Sequence, residues 1–228
     1  MAAKRLTRKQ LLKEPDEFLT LTQRVFEWIK ANPRQMIIGA GIVIGVFALA
    51  AGYRYFNARR TLEASRLLSQ GLATYQQQLA AGDQEKALEA VRPDFEKLVK
   101  EFSGKPAGRL GQIYYGQILL KAKKPEEAET LFQRAWSEYG SDPALTNIIL
   151  SGLAQAYLQA GDKKAATAQF EKIVAGSDTL NKDEALFQLG LLYLESDQAE
   201  KSKEMFTQLS ENFPNSIYAE MAREKTAG

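Results

Sequence analysis

Residues 183–216 read DEALFQLGLLYLESDQAEKSKEMFTQLSENFPNS, and their pattern decides the fold of the chain. Two earlier windows, which begin at Arg109 and Asn147, align with this one at intervals of 38 and 36 residues. Repetition at such an interval is typical of proteins built from stacked helical hairpins.

Small and large side chains recur at matching positions of the three windows. The eighth and twentieth positions are small and the twenty-fourth is phenylalanine: Gly116, Ala154 and Gly190; Ala128, Ala166 and Ser202; Phe132, Phe170 and Phe206. Small side chains let the two helices of a hairpin cross closely, and the aromatic ring fills the groove between them. We therefore predict an all-α fold, an α-solenoid with hairpins near 109–142, 147–180 and 183–216.

This pattern resembles the tetratricopeptide repeat. The third window carries the residues typical of that repeat: Leu186, Leu189, Gly190, Tyr193, Ser202, Phe206 and Pro214. The second window has Gly161 and Asp162 at the hairpin turn, as the repeat commonly does, whereas the first has Gly140 in place of the closing proline. The resemblance covers about 109–216 and implies tetratricopeptide-like helical hairpins.

The rest of the predicted repeat domain, 57–228, is also helical by pattern. Residues 58–103 indicate a further hairpin, in which a turn at 80–83 follows a long helix marked by Leu62, Leu67, Leu68, Leu72 and Tyr75. Pro93 is expected to interrupt the second helix of this hairpin or to start it afresh. After the last repeat, 215–225 is predicted to form a capping helix that covers the final apolar face.

Residues 36–53, MIIGAGIVIGVFALAAGY, contain no charged side chain. A helix of this length extends ~27 Å, enough to cross the hydrocarbon core of a bilayer. Arginines flank the run, and Tyr53, Tyr55 and Phe56 lie where an interfacial aromatic belt is expected. We predict a transmembrane signal anchor over 36–56. A cleaved signal peptide ending near Ala50 is disfavoured, because 35 residues precede the apolar run.

Glycines at Gly41, Gly45 and Gly52 lie at helical spacing within the predicted span. Small residues at such spacing let two membrane helices approach closely. We expect helix contact at this face, with a second copy of the chain, giving a homo-oligomer, or with another protein.

Residues 1–35 form a basic tail with eight Lys/Arg and four acidic residues. A short basic tail favours a cytoplasmic N-terminus, with the C-terminal domain translocated. Within the tail, 16–31 is predicted to be an amphipathic helix that ends at Asn32 and carries Phe18, Leu21, Val25, Trp28 and Ile29 on one face. This helix is predicted to lie on the surface of the lipid bilayer or to dock on a partner protein.

The sequence contains no histidine and no cysteine. It therefore has no Ser-His-Asp or Cys-His catalytic group, no thiolate-held cluster and no zinc site with His or Cys ligands, and we expect no cofactor and no metal. Residues 57–228 carry 21 basic and 24 acidic residues. We expect no nucleic-acid partner, because binding phosphates requires clustered positive charge.

A carboxylate-based hydrolase is the enzymatic alternative, with Glu171 and Asp178 as candidate acids. Such a site requires two carboxylates about 5–10 Å apart in a cleft. The acids of this chain are instead spaced as on solvated outer helix faces, for example Glu126, Glu129 and Glu200. We therefore predict a protein-interaction scaffold that is not an enzyme.

The order of basic tail, single span and helical-repeat domain resembles the YfgM-like family of ancillary Sec-translocon subunits. This resemblance is one of architecture and length. It implies a single-pass protein of the bacterial inner membrane with a cytoplasmic N-terminus and a periplasmic repeat domain, which works beside a chaperone near the secretion channel. The implied partners are proteins of the secretion or folding machinery. An envelope or cell-surface assembly factor with the same layout is the alternative.

The tetratricopeptide resemblance also implies a protein-binding groove along the first helix of each hairpin. Its positions here are Ile113, Tyr114, Gln117, Lys121, Ser151, Gln155, Gln159, Phe187, Gln188, Leu191 and Glu195. Tyr114 and Phe187 are the expected anchors, because aromatic residues dominate binding hot spots. The Lys/Asn/Arg set with which some family members grip a terminal carboxylate is replaced by Ile113, Gln117, Gly152, Glu184 and Gln188. A ligand held by its C-terminal carboxylate is therefore not expected.

Overall fold

A computed structural model of the chain describes residues 17–227, with side-chain burial given from 23 to 226. The described residues form ten α-helices and no β-strand, which confirms the predicted all-α fold. They divide into two compact units between Ala58 and Arg59. Residues 1–16, which include much of the predicted basic tail, lie outside the described residues.

The first unit contains α1, Glu17–Ala31, and the beginning of α2, Pro33–Leu79. Asn32 alone separates the two helices, and its side-chain Nδ2 donates a hydrogen bond to the Trp28 carbonyl oxygen at 3.0 Å. Proline suits the start of α2, because its φ is already helical and it has no N–H to leave unpaired. The helix predicted over 16–31 corresponds to α1, although the side chains of Phe18 and Leu21 are outside the described part.

The apolar stretch lies in the N-terminal half of α2. By length and composition, α2 is the single helix within residues 17–227 that could cross a membrane. Its apolar 18-residue window has a mean hydropathy of 2.2, and none of that window is buried. α2 is therefore a candidate membrane span.

The second unit is a series of four helical hairpins followed by a final helix. The hairpins pair α2 from Arg59 onward with α3 (Gln84–Glu101), α4 (Pro106–Lys121) with α5 (Pro125–Tyr139), α6 (Pro143–Ala160) with α7 (Lys163–Ala175), and α8 (Lys182–Glu195) with α9 (Ala199–Asn212). From α3 onward each helix packs against the next, as far as α10, Ala219–Ala227. α4 also packs directly against α6, as expected for hairpins stacked in a solenoid.

Short polar turns set the ends of these helices. The side chains of Asp83, Asp142 and Asp162 accept hydrogen bonds from backbone N–H groups in the first turns of α3, α6 and α7. α6 ends at Ala160 and is capped by Gly161, whose φ of +86° lies in the left-handed region that favours glycine. These local signals fix where the hairpins begin and end.

One buried phenylalanine occupies the centre of each hairpin. Phe95, Phe132, Phe170 and Phe206 are each at most 1% exposed. A Cβ atom added to Gly71 would lie 3.1 Å from the Phe95 ring, and one added to Gly190 would lie 2.5 Å from the Phe206 ring. The predicted packing of small residues against phenylalanine is confirmed, and the upstream hairpin uses the same arrangement.

Two details of the helices differ from the sequence predictions. Pro93 lies within a continuous α3 and does not divide it. Buried residues flank the proline on both sides, including Val91 and Phe95, so their packing outweighs the lost backbone hydrogen bond. The final helix begins at Ala219 rather than at 215, because the preceding residues form turns in which Ser216 Oγ accepts a hydrogen bond from the Tyr218 N–H at 3.2 Å.

Candidate functional site

The predicted groove residues lie on α4, α6 and α8, the first helices of the last three hairpins. We call the face that they define the groove face. Its exposed members are Tyr114, Gln117, Lys121, Gln159 and Glu195, and its half-buried members are Gln155, Phe187, Gln188 and Leu191. Ile113 and Ser151 are buried, so the predicted set is not one continuous surface.

Ile113 and Ser151 do not offer a binding surface, contrary to the sequence prediction. Each is only 4% exposed. Ile113 belongs to the hydrophobic core, and α6 packs directly against its helix. The Ser151 hydroxyl faces the Glu184 carboxylate at 3.5 Å. Helical spacing predicts the direction of a side chain, but it does not predict which neighbouring helix covers it.

Phe187, the second predicted anchor, is half-buried and packs against two neighbouring aromatic rings. Its ring stacks on Tyr218 with 4.9 Å between centroids, and it lies 5.9 Å from the ring of Phe206. Leu191 is likewise half-buried against the core of the last two hairpins. Tyr114, 40% exposed on α4, is therefore the more accessible aromatic residue of the predicted pair.

Four predicted groove residues line one pocket of about 430 Å³. We call it the amide pocket, and its lining residues are Gln84, Gln117, Leu120, Lys121, Lys123, Gln155 and Gln159. Sequence reasoning missed Gln84 and Lys123, because they lie outside the first helices. Gln84 begins α3, and Lys123 lies in the turn after α4 with a left-handed φ of 59°.

The amide pocket combines neutral amides with positive charge. No carboxylate lines it. Lys121 and Lys123 form no ion pair with any residue between 23 and 226, whereas the neighbouring Lys124 pairs with Glu85 at 3.4 Å. Side-chain amides both donate and accept hydrogen bonds, and lysine only donates them. This lining can therefore bind peptide groups together with a negatively charged side chain.

The α8 end of the groove face is acidic. The Glu184 carboxylate accepts a hydrogen bond from Gln155 Nε2 at 3.0 Å, and Asp183 accepts one from the Ser216 hydroxyl at 2.6 Å. Burial raises the pKa of Tyr218 above its ordinary value, and the nearby Glu184 and Asp183 carboxylates raise it further. The groove face therefore has a basic end at α4 and an acidic end at α8.

Glu195 lines a different pocket from the other predicted residues. This second pocket, of about 480 Å³, lies between α7 and the end of α8 and includes Leu192 and Lys163. Lys163 pairs with Glu195 at 2.8 Å. Glu195 therefore lies outside the amide pocket, and its carboxylate already has a cationic partner.

The candidate catalytic acids have separate local hydrogen bonds. Glu171 accepts a hydrogen bond from the Tyr193 hydroxyl at 2.6 Å, and Asp178 accepts one from the Leu180 N–H at 3.1 Å. Within the described residues, no group of three acids could hold a metal ion.

The glycines of the apolar stretch offer an open face in the described structure. A Cβ atom added to Gly41, Gly45 or Gly52 would meet no other atom within 4 Å. The predicted contact between membrane helices at these glycines stays a prediction.

The stacked hairpins, each with a phenylalanine buried at its centre, define a helical-repeat protein. A family model described as "Tetratricopeptide repeat-like domain" matches residues 27–184, and a model described as "Tetratricopeptide repeat" matches residues 184–216. The first match covers more than half of the chain, so the chain belongs to the tetratricopeptide repeat-like domain family. This match begins upstream of the repeats identified in the sequence and includes the apolar stretch.

A solved structure shares this fold. The crystal structure of a tetratricopeptide repeat protein from Parabacteroides merdae ATCC 43184 matches with a TM-score of 0.55 and 17% sequence identity. The match covers 71% of this chain, which spans 59% of the length of that protein. No curated protein matches the chain at a significant level. Tetratricopeptide repeats are typically non-catalytic and bind other proteins, which supports a protein-interaction scaffold.

Proposed function

We propose that the chain is a membrane-anchored scaffold of the bacterial envelope that binds a polypeptide segment along its groove face. The amide pocket carries this proposal. It lies on the predicted binding face of a tetratricopeptide repeat protein, has room for side chains, and presents two lysines that form no ion pair with any residue between 23 and 226. The protein has a tether before the repeats and an interaction surface within them.

The bound segment is an extended chain with an acidic side chain. Gln117 and Gln159 present amides that can pair with main-chain N–H and C=O groups, and Gln155 adds its amide oxygen while its Nε2 donates to Glu184. Lys121 and Lys123 supply the charge that a Glu or Asp side chain would meet. Tyr114, on the same helix as Lys121, adds an exposed aromatic contact.

The first prediction separates binding from folding. A photo-crosslinking amino acid in place of Gln117 is expected to capture proteins in native membranes. Adding Lys121→Glu to this variant should strongly reduce capture, because a repulsive charge would replace an attractive one. The melting temperature should stay nearly unchanged, since Lys121 is exposed and forms no ion pair with the described residues.

Lys203→Glu is the matched control for this charge reversal. Lys203 is exposed on α9, outside the amide pocket, so the same change in net charge should leave capture intact. Equal capture by both variants would contradict the proposed groove. The captured proteins would also distinguish secretion and folding machinery, which the resemblance to YfgM-like subunits favours, from envelope assembly factors.

The proposed anchor is the apolar part of α2. Support comes from its length, its mean hydropathy of 2.2 and the absence of any buried residue from its apolar window. The family match beginning at residue 27 includes this segment, so the apolar stretch belongs to the matched region. We place the N-terminal side of the span in the cytoplasm and the repeats in the periplasm, because residues 1–35 carry eight Lys/Arg against four acidic residues.

The second prediction tests anchoring and orientation. The protein should remain with membranes after carbonate extraction, and protease added to spheroplasts should digest 57–228. The double substitution Ile42→Arg and Ile44→Arg should release the protein from membranes. Each arginine at the centre of a span raises the free energy of membrane insertion by ~2.5–3.5 kcal/mol. Extraction of the unaltered protein by carbonate would contradict the anchor, and a protected repeat domain would contradict the orientation.

A further inference from the structure

An exposed apolar face covers about half of α1. Val25, Phe26 and Trp28 are 52%, 60% and 53% exposed, and Ile29 is half-buried. At ~100° per residue these four side chains occupy one continuous half of the helix. A contiguous exposed face of aromatic and branched side chains is typical of a site that contacts a protein or a membrane.

Charged residues border this face in an ordered way. On the same helical wheel, Arg24 and Lys30 fall at its two edges, whereas Glu27 falls on the opposite side. Lys30 Nζ lies 4.7 Å from the centre of the Phe26 ring. Basic side chains beside an aromatic face can extend toward lipid headgroups while their aliphatic stems cover apolar surface. The charge pattern therefore matches an anionic bilayer surface.

The position of α1 in the chain identifies the partner. Asn32 alone separates α1 from α2, and the uncharged run of the candidate span begins at Met36. If that run enters the hydrocarbon core, the C-terminal end of α1 lies at the adjacent headgroup layer. A second protein would have to reach this face within the same layer, whereas lipid is already present there.

We propose that α1 lies in the boundary between lipid headgroups and acyl chains, with Phe26 and Trp28 buried in it, and prefers anionic lipid. This proposal rests on the proposed membrane span. It assigns a lipid-binding surface to α1 in addition to the anchor itself. Arg24 and Lys30 attract negatively charged headgroups. The apolar half of α1 inserts into the boundary between headgroups and acyl chains.

Tryptophan fluorescence tests the depth of α1 directly. The chain has two tryptophans, so Trp136→Phe leaves Trp28 as the reporter. The full chain is reconstituted into vesicles of phosphatidylcholine with a minority of phosphatidylglycerol, containing lipids brominated near the head or near the end of the acyl chain. We expect blue-shifted Trp28 emission that shallow bromines quench more strongly than deep bromines, with little quenching by aqueous acrylamide.

A second reporter distinguishes this proposal from the anchor. Phe47→Trp, combined with Trp28→Phe and Trp136→Phe, places the reporter within the apolar run, where deep bromines should quench it. If deep bromines quench the Phe47 reporter while Trp28 remains accessible to acrylamide, the span stands and the α1 proposal is wrong. If bromines quench neither reporter, the span itself is wrong. Protection of Trp28 from both acrylamide and bromines would indicate a protein partner and would also overturn the proposal.

Charge variants test the preference for anionic lipid. Arg24→Gln and Lys30→Gln should each lower the ratio of docked to undocked α1 by about fivefold in the mixed vesicles. Both should have little effect in pure phosphatidylcholine. Glu27→Gln, on the polar side of the same helix, is the matched control and should not reduce docking. Equal docking of all variants in both lipids would overturn the preference for anionic lipid.

Discussion

Replacing Phe132 by alanine is expected to lower the free energy of unfolding by about 3–5 kcal/mol. The Phe132 ring is fully buried between the first helices of two successive hairpins. A Cβ atom added to Gly116 would lie 2.6 Å from this ring, and one added to Gly152 would lie 2.4 Å from it. Removing the ring would leave a cavity between two backbones that cannot easily approach each other.

Urea unfolding of the full chain in detergent, monitored by circular dichroism, measures this decrease in the free energy of unfolding. Leu110→Ala is the matched control, because Leu110 is 42% exposed on α4 and alanine preserves the helix. Leu110→Ala should lower the free energy of unfolding by well under half as much as Phe132→Ala does. Similar losses for the two variants would contradict the placement of Phe132 between the hairpins.

Replacing Gly152 by leucine is the second change with a large expected effect. The added side chain must displace the Phe132 ring, since even its Cβ would lie 2.4 Å from ring atoms. Overpacking of this kind costs about 1–3 kcal/mol, and occasionally more. The cost should appear as a lower urea midpoint with an unchanged slope, provided that the native state stays compact.

The pair Gly152→Ala and Phe132→Leu tests the same contact from both sides. Each single change should destabilise, one by crowding and the other by lost packing. The double variant should lose less unfolding free energy than the two single variants lose in sum, because the smaller leucine side chain makes room for the new methyl group. Strict additivity would mean that the two residues are not in contact.

The hairpins could be predicted from sequence because their signals are local and repeated. In α5, α7 and α9, the phenylalanines Phe132, Phe170 and Phe206 are each the eighth residue of the helix, so the three windows align. The upstream hairpin has longer helices, and Gly71 lies 24 residues before Phe95 rather than 16. The repeat spacing therefore does not align this hairpin with the other three, although its glycine and phenylalanine pack in the same way.

The groove face was only partly predictable. Tyr114, Gln117, Lys121 and Gln159 are exposed on first helices, as the repeat positions imply. The amide pocket also requires Gln84 and Lys123, which belong to a different helix and to a turn. Their meeting depends on how two hairpins stack, and the repeat pattern does not encode that stacking.

The amino-acid sequence by itself determined the helical hairpins, the uncharged run at 36–53 and the absence of histidine and cysteine chemistry. These properties depend on residue type and on spacing within one or two helices. The tertiary structure alone decided that Ile113 is buried, that Phe187 stacks on Tyr218, and that Lys121 meets Gln84 in one pocket. The physical reason is that burial and pocket shape arise between helices, where contacts join residues distant in sequence and depend on which neighbour covers each side chain.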